Sequence, residues 1–327
     1  MSDKKKLLFL RGQVPQDRNP KQIMFNNLID CDDMWTQLAY HLSKDSYGEI
    51  WYWGGKRKKE FTSNFIERWV RDFKSYKSDF KPDVIFARGG FSEYDVVLRR
   101  NPQAFKIYYG AGFRRIPKTS FKDFNLILVD TPEQFSRAQS KLPNKNIHIF
   151  TKPAADHIFC PREEDKKFDV ILVGNYNKGV KKGHDFAFSR IPRNLKVLSV
   201  GLVPKTIRKK YPHVKYTGWV PRKKIPNYYA KSKISIVCCG TEDSCPRIVP
   251  ESISCGCPVL ILDRVNVWKE KYITNETGKI TTKKLFVSDL LSMIEKYKDF
   301  SPYSYYQNYL SLSISAKDII EKINELS

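Results

Sequence analysis

Asp243 and Glu251 stand on either side of seven residues in the stretch DSCPRIVPESISCGCPVL, residues 243–260. Ser244 and Pro246 mark a loop, and Pro250 suits a first helical turn, where its missing N–H costs nothing. A short helix through Glu251, Ser252, Ile253 and Ser254 is expected to stop at Gly256, with Pro258 barring continuation. Residues 257–262 then read as a parallel strand covered on both faces. A helix N-terminus presents free N–H groups and a positive dipole end to an anion, here the backbone of Arg247 and Ile248. Two carboxylates beside it can hold neutral hydroxyl groups. That combination suits a phosphorylated, polyhydroxylated ligand such as a nucleotide sugar.

A second set of polar residues leaves the ends of expected strands in the first half of the chain. Strands over 84–87, 105–109 and 126–129 deliver Arg88, then Arg114 and Arg115, then Asp130. Ligands bind outside the carboxyl ends of parallel strands, so these four are candidates for an acceptor carrying phosphate or acid groups. Pairing with structural carboxylates such as Glu93 or Asp123 is the equal alternative. Gly12 lies just past a first strand over 7–10 and permits close backbone approach, although no GxGxxG fingerprint accompanies it.

The elements around these residues are legible in outline. A helix capped by Asp32 carries Trp35, Leu38, Ala39 and Leu42 as an apolar stripe, with Trp35 read as core rather than as a sugar platform. An aromatic strand over 49–53 precedes a solvated basic loop, 56–59, and a helix over 65–76 aligns Phe65, Trp69 and Phe73. The second half repeats the alternation. Strands are expected over 168–174, 195–200, 214–216 and 234–238, and helices over 225–232, 285–297 and 311–326. The fold class is α/β.

Residues 251–259, ESISCGCPV, resemble the second half of the acid-x7-acid motif of the large retaining GT-B glycosyltransferase family that includes the glycogen and sucrose synthases. That family's usual form is Glu, a small-residue loop, Glu, then Ala-x-Ala-x-Gly-x-Pro-Val. The chain departs from it at Asp243, which replaces Glu, and in the loop Ser-Cys-Pro-Arg. Further likenesses are Lys-Pro-Asp-Val-Ile at 81–85, Lys182-Gly183, Val200-Gly201, Gly218-Trp219-Val220 and Thr277-Gly278-Lys279. They are close over 168–280 and weak in the first half.

The resemblance implies two Rossmann-like domains with parallel sheets facing a cleft. These would be an acceptor domain over 1–165, a donor domain over 166–300 and C-terminal helices over 301–327 packing back towards the first. It implies transfer of a sugar from a UDP- or GDP-sugar to a glycan, lipid-linked or protein acceptor, with retained anomeric configuration and no metal. By resemblance Glu251 holds the donor ribose and Asp243 the transferred sugar. Lys182 neutralises the departing diphosphate, with Lys178 or Lys181 as sharers. Gly12, Gly174 and Asn175 lie near the donor phosphates, Gly218 meets the nucleobase with its backbone, and Trp219 is a stacking candidate.

Composition sets the outer limits. A chain of 327 residues exceeds one comfortable core, and 41% hydrophobic content supports two. The formal charge of +23 admits nucleic acid, an anionic membrane surface or phosphorylated small molecules. No nucleic-acid motif accompanies the basic clusters, which disfavours that partner; peripheral membrane contact stays open. Seven cysteines at irregular spacing read as free thiols in a reducing, cytoplasmic setting. No run approaches the ~20 apolar residues that span a bilayer. Two rival classes remain: a sugar-nucleotide epimerase of the same fold, for which the five histidines form no recognisable site, and a nucleic-acid-binding or DNA-modifying protein.

Overall fold

In the computed structural model the described residues are 4–11, 33–53, 57–62, 64–70, 73, 79–89, 94–110, 121–176, 182–240 and 245–327. The chain forms two compact units, Met1–Phe150 with Ser315–Ser327, and Thr151–Ile314. The break between them precedes Lys166, and residues 151–165 group with the second unit.

The first unit opens with β1 (Lys6–Arg11), α1 (Met34–Leu42), β2 (Tyr47–Trp53), β3 (Arg57–Thr62) and β4 (Phe65–Val70). It continues through β5 (Val84–Arg88), α2 (Tyr94–Arg100), β6 (Phe105–Tyr109), β7 (Leu126–Val129), α3 (Pro132–Lys141) and β8 (Asn146–Ile149). One eight-stranded sheet runs in the order β3-β4-β2-β1-β5-β6-β7-β8. All its pairs are parallel except β3 with β4. Leu7–Leu10 and Leu126–Val129 are buried throughout, as strands covered on both faces must be. Phe9 stacks on Phe86 with centroids 4.7 Å apart, and Trp35 stacks on Tyr109 at 5.3 Å, so Trp35 is core.

Three expectations for this half are corrected. Residues 65–76 do not form one helix; Phe65–Val70 is strand β4, parallel to β2 and antiparallel to β3. The i, i+4 aromatic spacing fits a strand equally, since even separations share a strand face, and a buried ion pair decides for it. Arg68 donates through Nε and Nη2 to Glu49 at 3.2 and 3.1 Å, and Trp51 Nε1 donates to the same carboxylate at 2.6 Å. The basic loop at 56–59 runs into strand β3. The cap of α1 is Asp33 rather than Asp32, its carboxylate accepting from the Thr36 N–H at 3.1 Å.

The second unit contains β9 (Phe168–Val173), α4 (His184–Arg190), β10 (Val197–Val200), α5 (Lys205–Lys210), β11 (Val214–Tyr216), a 3-10 turn (Arg222–Lys224), α6 (Ile225–Ala230) and β12 (Ser232–Val237). Its later elements are α7 (Ile248–Ser254), β13 (Val259–Leu262), α8 (Lys269–Tyr272), β14 (Gly278–Thr281), α9 (Phe286–Glu295) and α10 (Pro302–Tyr309). Helix α11 (Leu312–Leu326) starts here and continues into the residues grouped with the first unit. The sheet is parallel, six-stranded, and ordered β11-β10-β9-β12-β13-β14. The Thr-Gly-Lys turn at 277–279 leads directly into strand β14.

Strand order reverses between β9 and β12, because the chain builds outwards through β10 and β11 before returning beside β9. In the first sheet the equivalent reversal lies between β1 and β5. Such reversals open a crevice at the carboxyl ends of the strands, where ligands of doubly wound sheets bind.

Candidate active site

Glu251 sits in α7, after β12, and Lys182-Gly183 lies between β9 and α4. The two therefore flank the reversal in the second sheet. Helix α7 begins earlier than the sequence suggests, at Ile248, with Pro250 in its first turn. Gly256 ends it in the left-handed conformation, φ 72°, and the Gly256 N–H donates to Ile253 O at 3.0 Å. The Ser254 hydroxyl donates to the Phe159 carbonyl, which fastens the helix to the segment leading into β9.

Glu251 is 3% exposed, and its carboxylate is held by Arg222, whose Nη2 donates to Oε1. The guanidinium also lies over the Phe159 ring, 5.2 Å from its centroid. The arginine's positive charge compensates the burial of the carboxylate. Tyr229 is buried alongside; burial first, and then the Glu251 charge, push its phenol well above the usual tyrosine range. Arg222 escapes a sequence reading because it sits among the basic residues Arg222–Lys224. Its partner lies 29 residues away, and no local pattern separates it from its neighbours.

The loop before α7 is anchored at Cys245. Its φ of 42° is the one positive value at a non-glycine among the described residues. Its N–H donates to Asn266 O at 2.7 Å, and its carbonyl accepts from buried Lys152 Nζ at 3.0 Å. Asp243 lies outside the described residues, as do Lys178 and Lys181.

Glycines let the other strand ends approach closely. A Cβ on Gly183 (φ 69°) would stand 2.1 Å from Cys238 O, just past β12. A Cβ on Gly201 (φ 133°) would stand 2.5 Å from Gly174 O. Lys182 Cδ passes 3.9 Å from where a Gly174 Cβ would be, so its side chain crosses the end of β9. Asn175 turns its carboxamide oxygen to the Leu202 N–H at 2.8 Å and thereby ties the ends of β9 and β10 together. The Gly201 N–H donates to Gly218 O at 3.0 Å. Trp219 is 66% exposed and packs against no ring among the described residues. Arg247 is the residue before α7, and no side chain caps that helix.

His184 opens α4 beside Lys182. It is 4% exposed, its Nε2 is buried without a partner, and it bonds the Gly174 backbone. Burial, chiefly, lowers its pKa to about 4, with the Lys182 charge adding in the same direction.

In the first unit the sequence-derived acceptor group is reduced to Arg88 and Asp130, since Arg114 and Arg115 fall outside the described residues, as does the donor-side candidate Gly12. The two meet through Tyr109. Arg88 lies over the Tyr109 and Trp35 rings at 5.9 and 5.8 Å, and the Tyr109 hydroxyl donates to Asp130 Oδ1 at 2.7 Å. Asp130 is fully buried, so it orients Tyr109. Arg11, beside Arg88 in the sheet register, is bound to Asp33.

Residues 167–296 match the family described as glycosyl transferases group 1. That match spans the second unit from β9 to α9. A search of curated proteins finds no match to the sequence. Among solved structures, sucrose-phosphate synthase from Thermosynechococcus elongatus superposes with a TM-score of 0.72 at 11% identity, over 98% of this chain and 99% of that one. Anabaena HepE in complex with UDP gives 0.67 at 12% identity, over 98% and 100%. The lipopolysaccharide outer core galactosyltransferase WaaB gives 0.68 at 13% identity, over 98% and 99%. At these identities the likeness is one of fold, and the GT-B class expected from residues 251–259 is the fold found.

Proposed function

We propose that this glycosyltransferase moves a sugar from a UDP-sugar, or failing that a GDP-sugar, to a hydroxyl of a glycan, lipid-linked or protein acceptor. The observation that carries the reading is the Glu251 carboxylate, buried and paired with Arg222 at the strand-order reversal of the matched domain. A fixed carboxylate there accepts hydrogen bonds from two neighbouring ribose hydroxyls, and each charge-assisted bond contributes about 1.5–3 kcal/mol. Lys182, crossing the end of β9, faces the developing negative charge on the departing diphosphate. Asp243 takes the hydroxyls of the transferred sugar. The structures of HepE hold UDP, UDP with glucose, and UDP-glucose, which favours uridine as the base to try first.

Retention of configuration and independence from metal belong to the same reading. Lys182 supplies the positive charge at the diphosphate that a divalent cation supplies in other transferases. Arg88, with Tyr109 oriented by Asp130, is the proposed acceptor side. Calorimetric titration with UDP, GDP, ADP and dTDP in the presence of a chelator tests the donor assignment. One ribonucleotide should bind, and its 2′-deoxy analogue should bind at least about tenfold more weakly. Equal affinity for both sugars would remove Glu251 from the ribose.

A further inference from the structure

The exit from β9 is tied down on two sides. Towards β10, the Tyr176 N–H donates to Leu202 O at 2.7 Å, and the Leu202 N–H donates to Asn175 Oδ1 at 2.8 Å. Towards α4, the Tyr176 hydroxyl donates to Asp185 Oδ2 at 2.6 Å. This last bond belongs to no sheet ladder and to no helix; it joins a residue just past β9 to the second residue of α4. Asp185 is itself held in place through its other oxygen. The hydroxyl of buried Tyr211 donates to Oδ1 at 3.4 Å, and Lys210 Nζ stands 3.9 Å from it. The bond to Asp185, ahead of burial, raises the Tyr176 phenol to about 12, so the hydroxyl stays a donor throughout the neutral range.

Lys182 lies between Tyr176 and Asp185 in the chain and depends on both ends of this tie. Its main chain is fixed by Gly183, where φ is 69° and a Cβ would stand 2.1 Å from Cys238 O. Its stem passes the end of β9, with Cδ 3.9 Å from where a Gly174 Cβ would be. The point at which the ammonium emerges is therefore set by where the turn after Gly174 stands relative to α4. Core packing does not set it. Helix α4 is seated by buried Ala187 and Phe188, whereas Tyr176 is half-buried and the Asp185 side chain is 46% exposed.

We propose that Tyr176 and Asp185 are positioning residues for the donor diphosphate, a role that rests on Lys182 meeting the diphosphate of a nucleotide-sugar donor. Their hydrogen bond holds the β9 turn against α4 and so fixes the line along which Lys182 reaches the phosphates. The attraction between two charges falls with distance, and a small misplacement of a positioning group is felt strongly in an active site. The Tyr176–Asp185 bond thus bears on the phosphates and not on the nucleoside, whose ribose falls to Glu251.

Calorimetric titration of the full chain with UDP and uridine, and with GDP and guanosine, in the presence of a chelator, tests this. Tyr176→Phe deletes only the hydroxyl. It should bind the preferred diphosphate about tenfold more weakly, the worth of one charge-assisted hydrogen bond, and the matching nucleoside within about twofold of the parent. Asp185→Asn and Asp185→Ala are equally uncharged, but only Asn keeps an oxygen for the Tyr176 hydroxyl. Asp185→Asn should therefore hold the diphosphate more tightly than Asp185→Ala, and adding Tyr176→Phe to Asp185→Ala should cost nothing further. A purely structural tie would lower diphosphate and nucleoside affinity together, or leave both unchanged and reduce only thermal stability; either result overturns the proposal. A parent for which the diphosphate adds nothing to the affinity of the nucleoside removes Lys182 from the phosphates, and this role with it. A parent that binds none of the four defeats the donor assignment itself.

Discussion

Arg222 and Glu251 form a buried ion pair, the guanidinium 14% and the carboxylate 4% exposed, with the arginine stacked over the Phe159 ring. Removing one partner from such a pair leaves the other charged and desolvated, at a cost of about 3–5 kcal/mol. Arg222→Met should therefore lower unfolding stability by that amount in urea. The double variant Arg222→Met, Glu251→Gln should recover most of it, because neither charge then remains. Recovery of stability without recovery of nucleotide affinity separates the structural role of the pair from its role in binding.

Gly183 and Gly218 both have positive φ, 69° and 72°, yet only Gly183 is hemmed in. Alanine at Gly218 should cost about 1–2 kcal/mol, the backbone term alone. At Gly183 the new methyl would also meet Cys238 O, adding roughly 1–3 kcal/mol of overpacking. Thermal unfolding should therefore show Gly183→Ala as the less stable of the two. That variant should also shift Lys182 and weaken diphosphate binding.

These contrasts mark what was legible in the sequence. Residues 251–259 announced the passage from helix α7 to strand β13 because Gly256, Pro258 and Val259 each answer a local demand: a left-handed stop, a bar to further helix, a strand start. The parallel strands were equally plain as apolar runs such as Leu126–Val129. Residues 65–70 misled because Phe65 and Trp69 share a face in either a helix or a strand, and the deciding contact, Arg68 with Glu49, is tertiary. Arg222, Phe159 and Lys152 carry no local mark of their roles. Each acts on a residue far away in the chain, and a lysine in TKPAAD does not reveal that it will be buried against Cys245.

Lys152→Met keeps the length and apolar stem of the side chain but removes the donor to Cys245 O. The loop preceding α7 then loses the contact that helps to hold Cys245 at φ 42°. Nucleotide affinity should fall by about tenfold or more, the worth of one charged hydrogen bond. Circular dichroism should be unchanged.

His184 should make the protein acid-sensitive in a defined window. Its folded pKa, about 4, lies below the ordinary value of 6.5, so the unfolded chain binds the proton more readily. The neutral histidine's contribution is complete above pH 6.5 and is lost as pH falls towards 4. Urea unfolding at successive pH values should show the parent losing roughly 3 kcal/mol more than His184→Gln across that interval.

The most direct test is release of nucleoside diphosphate from UDP-, GDP-, ADP- and dTDP-sugars in the presence of a chelator, parent beside Glu251→Ala. The parent should turn over one donor, and the variant should lose at least about a hundredfold in kcat/KM. Turnover that survives Glu251→Ala, or release from no donor at all, would contradict the assignment of this site to nucleotide-sugar chemistry.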